Sequence, residues 1–311
     1  MQLLYLFGIL CYKSILNKKS TVGGYMSNLS NISTIKNILS KYGFSFSKSL
    51  GQNFLINPSV CPKMAEYCTS NPEGGVIEIG PGIGVLTYEL AKRAKKVVAI
   101  ELDKRLLPVL DDTLGEFDNV KVINGDVLKM DINKIIDDEF TGMSVSICAN
   151  LPYYITSPII MKLLEENVNI ESLTVMVQKE AADRICALPG SRNSGAISLA
   201  VNYYSEPQIL FQVSKGSFMP APKVDSSVIK LNIRKNPPVN VENKDLLFKV
   251  IKAGFSQRRK TLVNCLSSSF GLEKSALVPI LEKGGLNPSI RAEALTLQDF
   301  AFICNELDKV I

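Results

Sequence analysis

Apolar positions along this chain alternate between two rhythms. Strand-sized apolar runs stand at Gly75–Ile79, Lys96–Glu101, Val120–Ile123, Ser144–Ala149 and Ser172–Val177. Between them, stretches such as Leu86–Arg93 and Lys104–Leu114 return to apolar residues at helical spacing. That alternation predicts an α/β fold, a parallel sheet with helices on both faces. Ahead of it, a polar helix is expected around Ile35–Tyr42, followed by a Ser/Gly-rich loop, Ser45–Gly51. Two further Val/Ile-rich runs, Gln208–Val213 and Ser226–Ile233, have no long helix between them and are expected to pair antiparallel at one edge of the sheet. A Pro-rich stretch follows Arg234, after which Leu246, Leu247, Val250 and Ile251 recur at helical spacing, and the tail reads as three or four short helices. The expected organisation is an N-terminal extension over 1–32, a sheet domain over 33–234 and a small all-helical domain over 235–311.

Composition narrows the chemistry. Of the 311 residues, 46% are hydrophobic, ample for a buried core in a main domain and a smaller second one. A formal net charge of +5 leans towards an acidic partner such as nucleic acid. Cysteines at 11, 61, 68, 148, 186, 265 and 304 form no CxxC pair and no disulfide spacing, so they read as reduced thiols of a cytoplasmic protein. The chain has no histidine, which removes the commonest general base and the commonest zinc ligand. Histidine-dependent hydrolases and zinc deaminases are thereby excluded, and no metal is expected. The run from Met1 to Cys11 is apolar but shorter than the ~20 residues that span a bilayer. It has neither a leading basic residue nor a small-residue cleavage site, so no membrane anchor or secretory signal is expected. Met26 opens a more ordinary polar beginning, and residues 1–25 read as an extension from a misplaced start.

The first chemical motif is Val76-Ile-Glu-Ile-Gly80-Pro-Gly82-Ile-Gly84, which closes a predicted strand and opens a helix. Its glycines fall at the carboxyl edge of the sheet, where such folds bind ligands and where the lack of a Cβ lets a ligand approach the backbone. A tight turn without a ligand would look similar. The spacing differs from the G-x-G-x-x-G of dinucleotide binders, which disfavours NAD. Glu101 ends the next strand, where an acid can accept both ribose hydroxyls of an adenosine, and Asn124-Gly-Asp126 closes the third, where a carboxylate can accept from an adenine amino group. Polar groups at three successive strand tips mark an adenosine-cofactor site rather than three unrelated surface acids.

Asn150-Leu-Pro-Tyr153 follows the fourth strand. This suits methylation of an amine conjugated to a purine. The adenine N6 lone pair is delocalised, so a catalyst gains by accepting N–H hydrogen bonds and drawing the nitrogen towards tetrahedral geometry. The Asn150 side-chain oxygen and the Leu151 carbonyl, freed by Pro152 from regular pairing, can do this, and Tyr153 can stack on the base. The amine becomes acidic only as it gains a methyl group, so no strong base is needed.

At these residues the chain resembles the small-subunit ribosomal RNA methyltransferase A family, the dimethyladenosine transferases. The matching motifs run in order from Ser49-Leu-Gly-Gln-Asn53-Phe-Leu55 through Glu78–Gly84, Glu101-Leu-Asp103, Gly125-Asp126 and Asn150–Tyr153 to Phe218-Met-Pro-Ala-Pro-Lys-Val-Asp-Ser226 and Phe255-Ser-Gln-Arg-Arg-Lys-Thr-Leu262. The resemblance implies a class I S-adenosylmethionine-dependent methyltransferase fold, Rossmann-like, plus the small helical domain. It also implies dimethylation of N6 on two neighbouring adenines near the end of small-subunit (16S) rRNA. By the same carry-over, S-adenosyl-L-methionine is held by Asn53, Leu55, Gly80, Glu101, Asp126 and Asn150, with Gln52 and Asn53 over its methionyl end. Asn150, Leu151, Pro152, Tyr153 and Phe218 serve catalysis, Tyr153 and Phe218 sandwiching an unstacked adenine. Phe218 could otherwise be a core aromatic; the neighbouring Pro220 and Pro222 favour the pocket.

Lys244, Lys249, Lys252, Arg258, Arg259 and Lys260 face a single acid, Asp245, in the same stretch. A solvated basic face is the plain reading, and the resemblance turns Lys249, Lys252, Arg258, Arg259 and Lys260 into candidate rRNA phosphate ligands. The expected partner is the small ribosomal subunit, met by a monomer. Three other readings compete. Resistance methyltransferases of large-subunit rRNA share the adenine chemistry, but Leu151 stands where isoleucine is usual there, and Gly51-Gln-Asn53 and Gln257-Arg-Arg-Lys260 also argue against them. DNA adenine methyltransferases carry two prolines before the tyrosine. A non-catalytic ribosome-assembly protein would not need Glu101, Asp126, Asn150 and Tyr153 intact.

Overall fold

The computed structural model describes residues 29–43 and 53–311. The expected extension therefore lies almost wholly outside the described residues, as do Ser49–Gln52 of the first family motif. Two compact units make up the chain: the described residues up to Tyr154 with Val213–Asp225, and Ile155–Gln212 with Ser226–Ile311.

In the first unit, helix α1 (Ile32–Lys41) opens on Asn31, whose side chain accepts the Ser33 N–H, and buries Ile35, Ile38 and Leu39 at helical spacing. Strand β1 (Phe54–Leu55) and helix α2 (Val60–Cys68) precede β2 (Gly75–Ile79), every residue of which is buried. Then come α3 (Val85–Ala91), β3 (Lys96–Glu101), α4 (Leu107–Leu114), β4 (Val120–Asn124), α5 (Ile132–Glu139) and β5 (Val145–Asn150). Strand β2 pairs parallel with both β3 and β5, and β3 pairs parallel with β4. Near-continuous burial of β2, β3 and β5 is what a parallel sheet covered on both faces demands. The expected helix over Lys104–Leu114 is split: Asp103 caps a short 3₁₀ turn, Lys104–Leu106, and Pro108 sits in the first turn of α4.

The second unit contains α6 (Thr156–Glu165), β6 (Ser172–Gln178), α7 (Lys179–Ile185), α8 (Ala196–Tyr204), β7 (Ser205–Val213) and β9 (Ser226–Ile233). The short β8 (Phe218–Met219) belongs to the first unit and pairs antiparallel with β1. The seven-stranded sheet has the order β4-β3-β2-β5-β6-β9-β7, with β9 antiparallel to β6. This is the expected mostly parallel sheet with antiparallel pairing towards one edge. Four helices close the chain: α9 (Lys244–Gly254), α10 (Leu262–Phe270), α11 (Lys274–Lys283) and α12 (Leu297–Leu307).

The units divide elsewhere than at the Pro-rich stretch after Arg234. Leu199 and Tyr203 of α8 share one buried cluster with Leu247, Val250, Leu266, Phe300 and their neighbours. Tyr204 stacks on Phe248 with ring centroids 5.5 Å apart, and Arg234 Nε lies 3.2 Å from the carbonyls of both Asn202 and Ser205. A linker composition does not show this packing of terminal helices onto α8.

Candidate active site

Strand register builds the floor of the site. Ile79 pairs with Ile100 on one side and Ala149 on the other, and Glu101 pairs with Asn124. One step further along, Asn124, Glu101, Gly80 and Asn150 therefore form a single row across the carboxyl ends of four parallel strands. At about 4.8 Å per strand, Glu101 and Asn150 stand about 10 Å apart with Gly80 between them, room for a nucleoside-sized ligand. The structure thus sets the ends of the three strands read from the sequence in one row with Asn150, which the sequence also places after the fourth strand.

Gly80 and Gly82 have φ of +71° and +62°, the left-handed region in which a Cβ is strained. A Cβ at Gly80 would meet nothing within 4 Å, so the loop is open there. The Gly82 N–H donates to Glu101 Oε2 at 3.2 Å, and the Asp103 N–H donates to Oε1 at 2.8 Å. Each Glu101 oxygen is thereby oriented by one backbone donor. Burial raises the Glu101 carboxyl above the ordinary range, opposed by those two N–H bonds. Asp103, itself buried, takes a two-point grip from Arg105, Nε at 2.9 Å and Nη2 at 2.6 Å, which fixes the turn beyond Glu101. Asn124 donates to the Glu101 carbonyl at 2.7 Å, a brace that the sequence reading passes over because its partner is a backbone oxygen on another strand.

Asp126 lies two residues past the row. Its Oδ1 accepts the Leu128 N–H at 3.0 Å and its Oδ2 stands 3.7 Å from Lys129 Nζ. The half-buried Asn150 side chain makes no hydrogen bond among the described residues, so its amide is available to a ligand. Leu151 is 1% exposed, which pins the turn by its side chain, while Pro152 and Tyr153 are half-buried. Asn53 immediately precedes β1, which carries Leu55: Leu55 is buried and registers against Phe218, and Phe54 registers against Met219. The Phe218 ring is 3% exposed, so a base that stacks on it must first uncover it.

Glu78 lies on β2 two residues before Gly80. It is 1% exposed, its Oε2 has no hydrogen-bond partner among the described residues, and burial, with the nearby Glu101 charge adding, pushes its carboxyl up to about 8. An unfolded carboxyl titrates near ~4.3, so the folded state holds this proton more tightly. The resulting stabilisation is complete in acid and is lost as pH rises through about 8. Unfolding of the ligand-free protein at pH 6 and pH 9 is therefore expected to show a loss of stability in alkali that Glu78→Gln largely removes; equal losses in both proteins would refute this.

The five candidate RNA ligands lie in the second unit. Lys249 and Lys252 occupy the exposed face of α9, and Arg258, Arg259 and Lys260 follow it in a turn held by the Lys260 N–H on the Gln257 carbonyl at 3.0 Å. All five are exposed and none has an ion pair among the described residues. Lys244 instead sits 5.0 Å from the Tyr204 ring centroid, a packing role. Among the described residues no helix is long and apolar enough to cross a membrane, and no group of three or more Cys, Asp or Glu is arranged to hold a metal ion.

Comparison with known proteins agrees with this geometry. A family model described as ribosomal RNA adenine dimethylase matches residues 43–309. The ribosomal RNA small subunit methyltransferase A of Alkaliphilus oremlandii is 48% identical over 285 residues, 91% of this chain and 99% of that protein. Among solved structures, a dimethyladenosine transferase from Plasmodium falciparum is 27% identical with a TM-score of 0.68, covering 82% of this chain and 98% of that one. The 23S rRNA methyltransferase ErmE is 25% identical with a TM-score of 0.64, covering 82% and 100%. The fold is thus shared by enzymes of both ribosomal subunits, and identity at the level of one half lies on the small-subunit side. A family match over most of the chain and a relative of nearly full coverage place this protein in the ribosomal RNA adenine dimethylase family.

Proposed function

We propose that this protein transfers methyl groups from S-adenosyl-L-methionine to N6 of two adjacent adenines near the 3′ end of small-subunit (16S) rRNA, as a monomer in the cytoplasm during ribosome biogenesis. The observation that carries this reading is the row Asn124, Glu101, Gly80 and Asn150, with a free carboxamide at one end and a fixed acid near the other. The residues fit an adenosine-bearing donor: a buried acid, Glu101, with each oxygen oriented by a backbone donor, an open glycine at 80 and a free Asn150 carboxamide.

In this reading Glu101 holds the ribose, Asp126 the adenine edge, and Gly80 with Asn53 and Leu55 the remaining backbone contacts. When bound, the donor supplies an electrophilic methyl group. Asn150 Oδ1 and the Leu151 carbonyl accept the N–H groups of the target adenine and raise the nucleophilicity of its nitrogen, while Tyr153 and Phe218 hold the ring. The proton leaves to water after methyl transfer, since the methylated amine is a strong acid.

Undermethylated small ribosomal subunits with radiolabelled S-adenosylmethionine test the proposal. Label is expected in N6,N6-dimethyladenosine of small-subunit rRNA. Label with large-subunit RNA alone would replace this reading with the activity named for ErmE, and particle binding without label would make the protein an assembly factor. The exposed cations give a separate prediction. Arg258→Ala with Arg259→Ala should weaken subunit binding and lower the log–log salt slope by about 1.5, two phosphate contacts at roughly 0.7–0.9 each. An unchanged slope would remove these residues from the interface.

A further inference from the structure

Phe54 lies between two parts of the site that the sequence keeps far apart. A Cβ at Gly82 would be 3.2 Å from Phe54 Cε1, so the ring already rests against the glycine loop at van der Waals distance. The ring is 6% exposed and shares a buried cluster with Ile83 of that loop, with Ile35 and Leu39 of α1, and with Leu106 and Val109. Through its backbone, the same residue registers against Met219, and Leu55 registers against Phe218. The ribbon is held beyond the pair by the Ile56 N–H on the Ser217 carbonyl at 2.8 Å and by Asn57 Nδ2 on Ser217 Oγ at 3.1 Å. On the other side, the Gly82 N–H is one of the two donors that orient Glu101.

We propose that Phe54 is a positioning residue that seats the Gly80–Gly84 loop against Glu101 and ties that loop to the strand carrying Phe218. One side chain then sets both the donor pocket and the target-base pocket, a role that rests on the functional reading above. Two features make the contact specific rather than generic core packing. Any side chain at 82 meets both a left-handed backbone that strains it and the edge of the Phe54 ring, 3.2 Å from where its Cβ would stand. Moreover, the β1–β8 pairing anchors the Phe54 backbone on a strand separate from the glycine loop.

Isothermal titration with S-adenosylhomocysteine measures the donor side without requiring turnover. Phe54→Leu is expected to weaken binding about tenfold, and Gly82→Ala by at least as much. In the double variant the losses should fall short of multiplying, because the shorter side chain makes room for the added methyl; directly contacting residues behave this way. On undermethylated subunits, Phe54→Leu should raise the donor KM and lower kcat while the subunit KM stays within about twofold, since phosphate contacts elsewhere set particle affinity. Donor binding within twofold of wild type, or fully multiplicative losses, would overturn the proposal. So would a change confined to the subunit KM. Should Phe54→Leu fail to fold, Phe54→Met, closer in volume, is read by the same titration against the same criteria. If the wild type binds S-adenosylhomocysteine but methylates no small-subunit RNA, the functional reading fails while the Phe54–Gly82 coupling is still measured by binding.

Discussion

Asn150→Ala is expected to lower methyl transfer to undermethylated small subunits by about 10²–10³-fold, the cost of removing one hydrogen-bonding group aimed at the reacting atom. The loss should fall mainly on kcat in single-turnover measurements. Asn150 ends a strand whose five preceding residues are all buried, and Leu151 behind it is buried as well, so the backbone of the site survives the truncation. Because the side chain makes no hydrogen bond among the described residues, the folded protein loses little when it is removed. Thermal unfolding within about two degrees of wild type is therefore the companion expectation. A carboxamide here matters for its oxygen. Asn150→Asp keeps an acceptor but adds a charge to a site that already carries Glu101, so it should retain more activity than alanine and less than wild type. Methyl transfer within tenfold of wild type in the alanine variant would mean that the Leu151 carbonyl suffices, and the role given to Asn150 would fall.

What could be read from the sequence follows from how local each signal is. Buried parallel strands are continuous apolar runs, and the observed β2 and β3 coincide with the expected segments at both ends, while β5 is shifted by one residue. Strand tips were legible for the same reason, since a polar residue ending an apolar run is visible without knowing its neighbours. Asn124 as a brace, Phe54 against Gly82 and the pairing of β1 with β8 were not, because each depends on residues brought together across the chain, more than 160 positions apart for Leu55 and Phe218. The division into units escaped for a similar reason: composition marks the stretch after Arg234 as a linker, whereas side-chain packing of Tyr203 and Tyr204 on Phe248 joins what lies on either side of it.

Glu101→Gln should weaken S-adenosylhomocysteine binding by about 10- to 100-fold, because hydrogen bonds to a charged acceptor contribute ~1.5–3 kcal/mol and the substitution removes that charge. The shape is nearly unchanged, which makes the chemistry the variable. Both Glu101 oxygens accept backbone N–H groups, from Gly82 and from Asp103. An amide has only one acceptor oxygen, so its NH₂ must face one of those donors, and either the glycine loop or the turn at Asp103 is pushed away. The pH dependence separates this from a general loss of stability. Burial holds the Glu101 carboxyl above its usual range, so as pH falls wild-type binding should decline before an ordinary exposed carboxylate would titrate. The glutamine variant has no such proton to take up at this position, and its weaker binding should vary less over the same window. Calorimetry from pH 8 down to pH 5 checks both expectations. Binding within threefold of wild type at pH 8 would show that the ribose is held elsewhere. A variant whose binding keeps the full wild-type pH dependence would move that proton to another group, Glu78 being the buried acid two residues before Gly80.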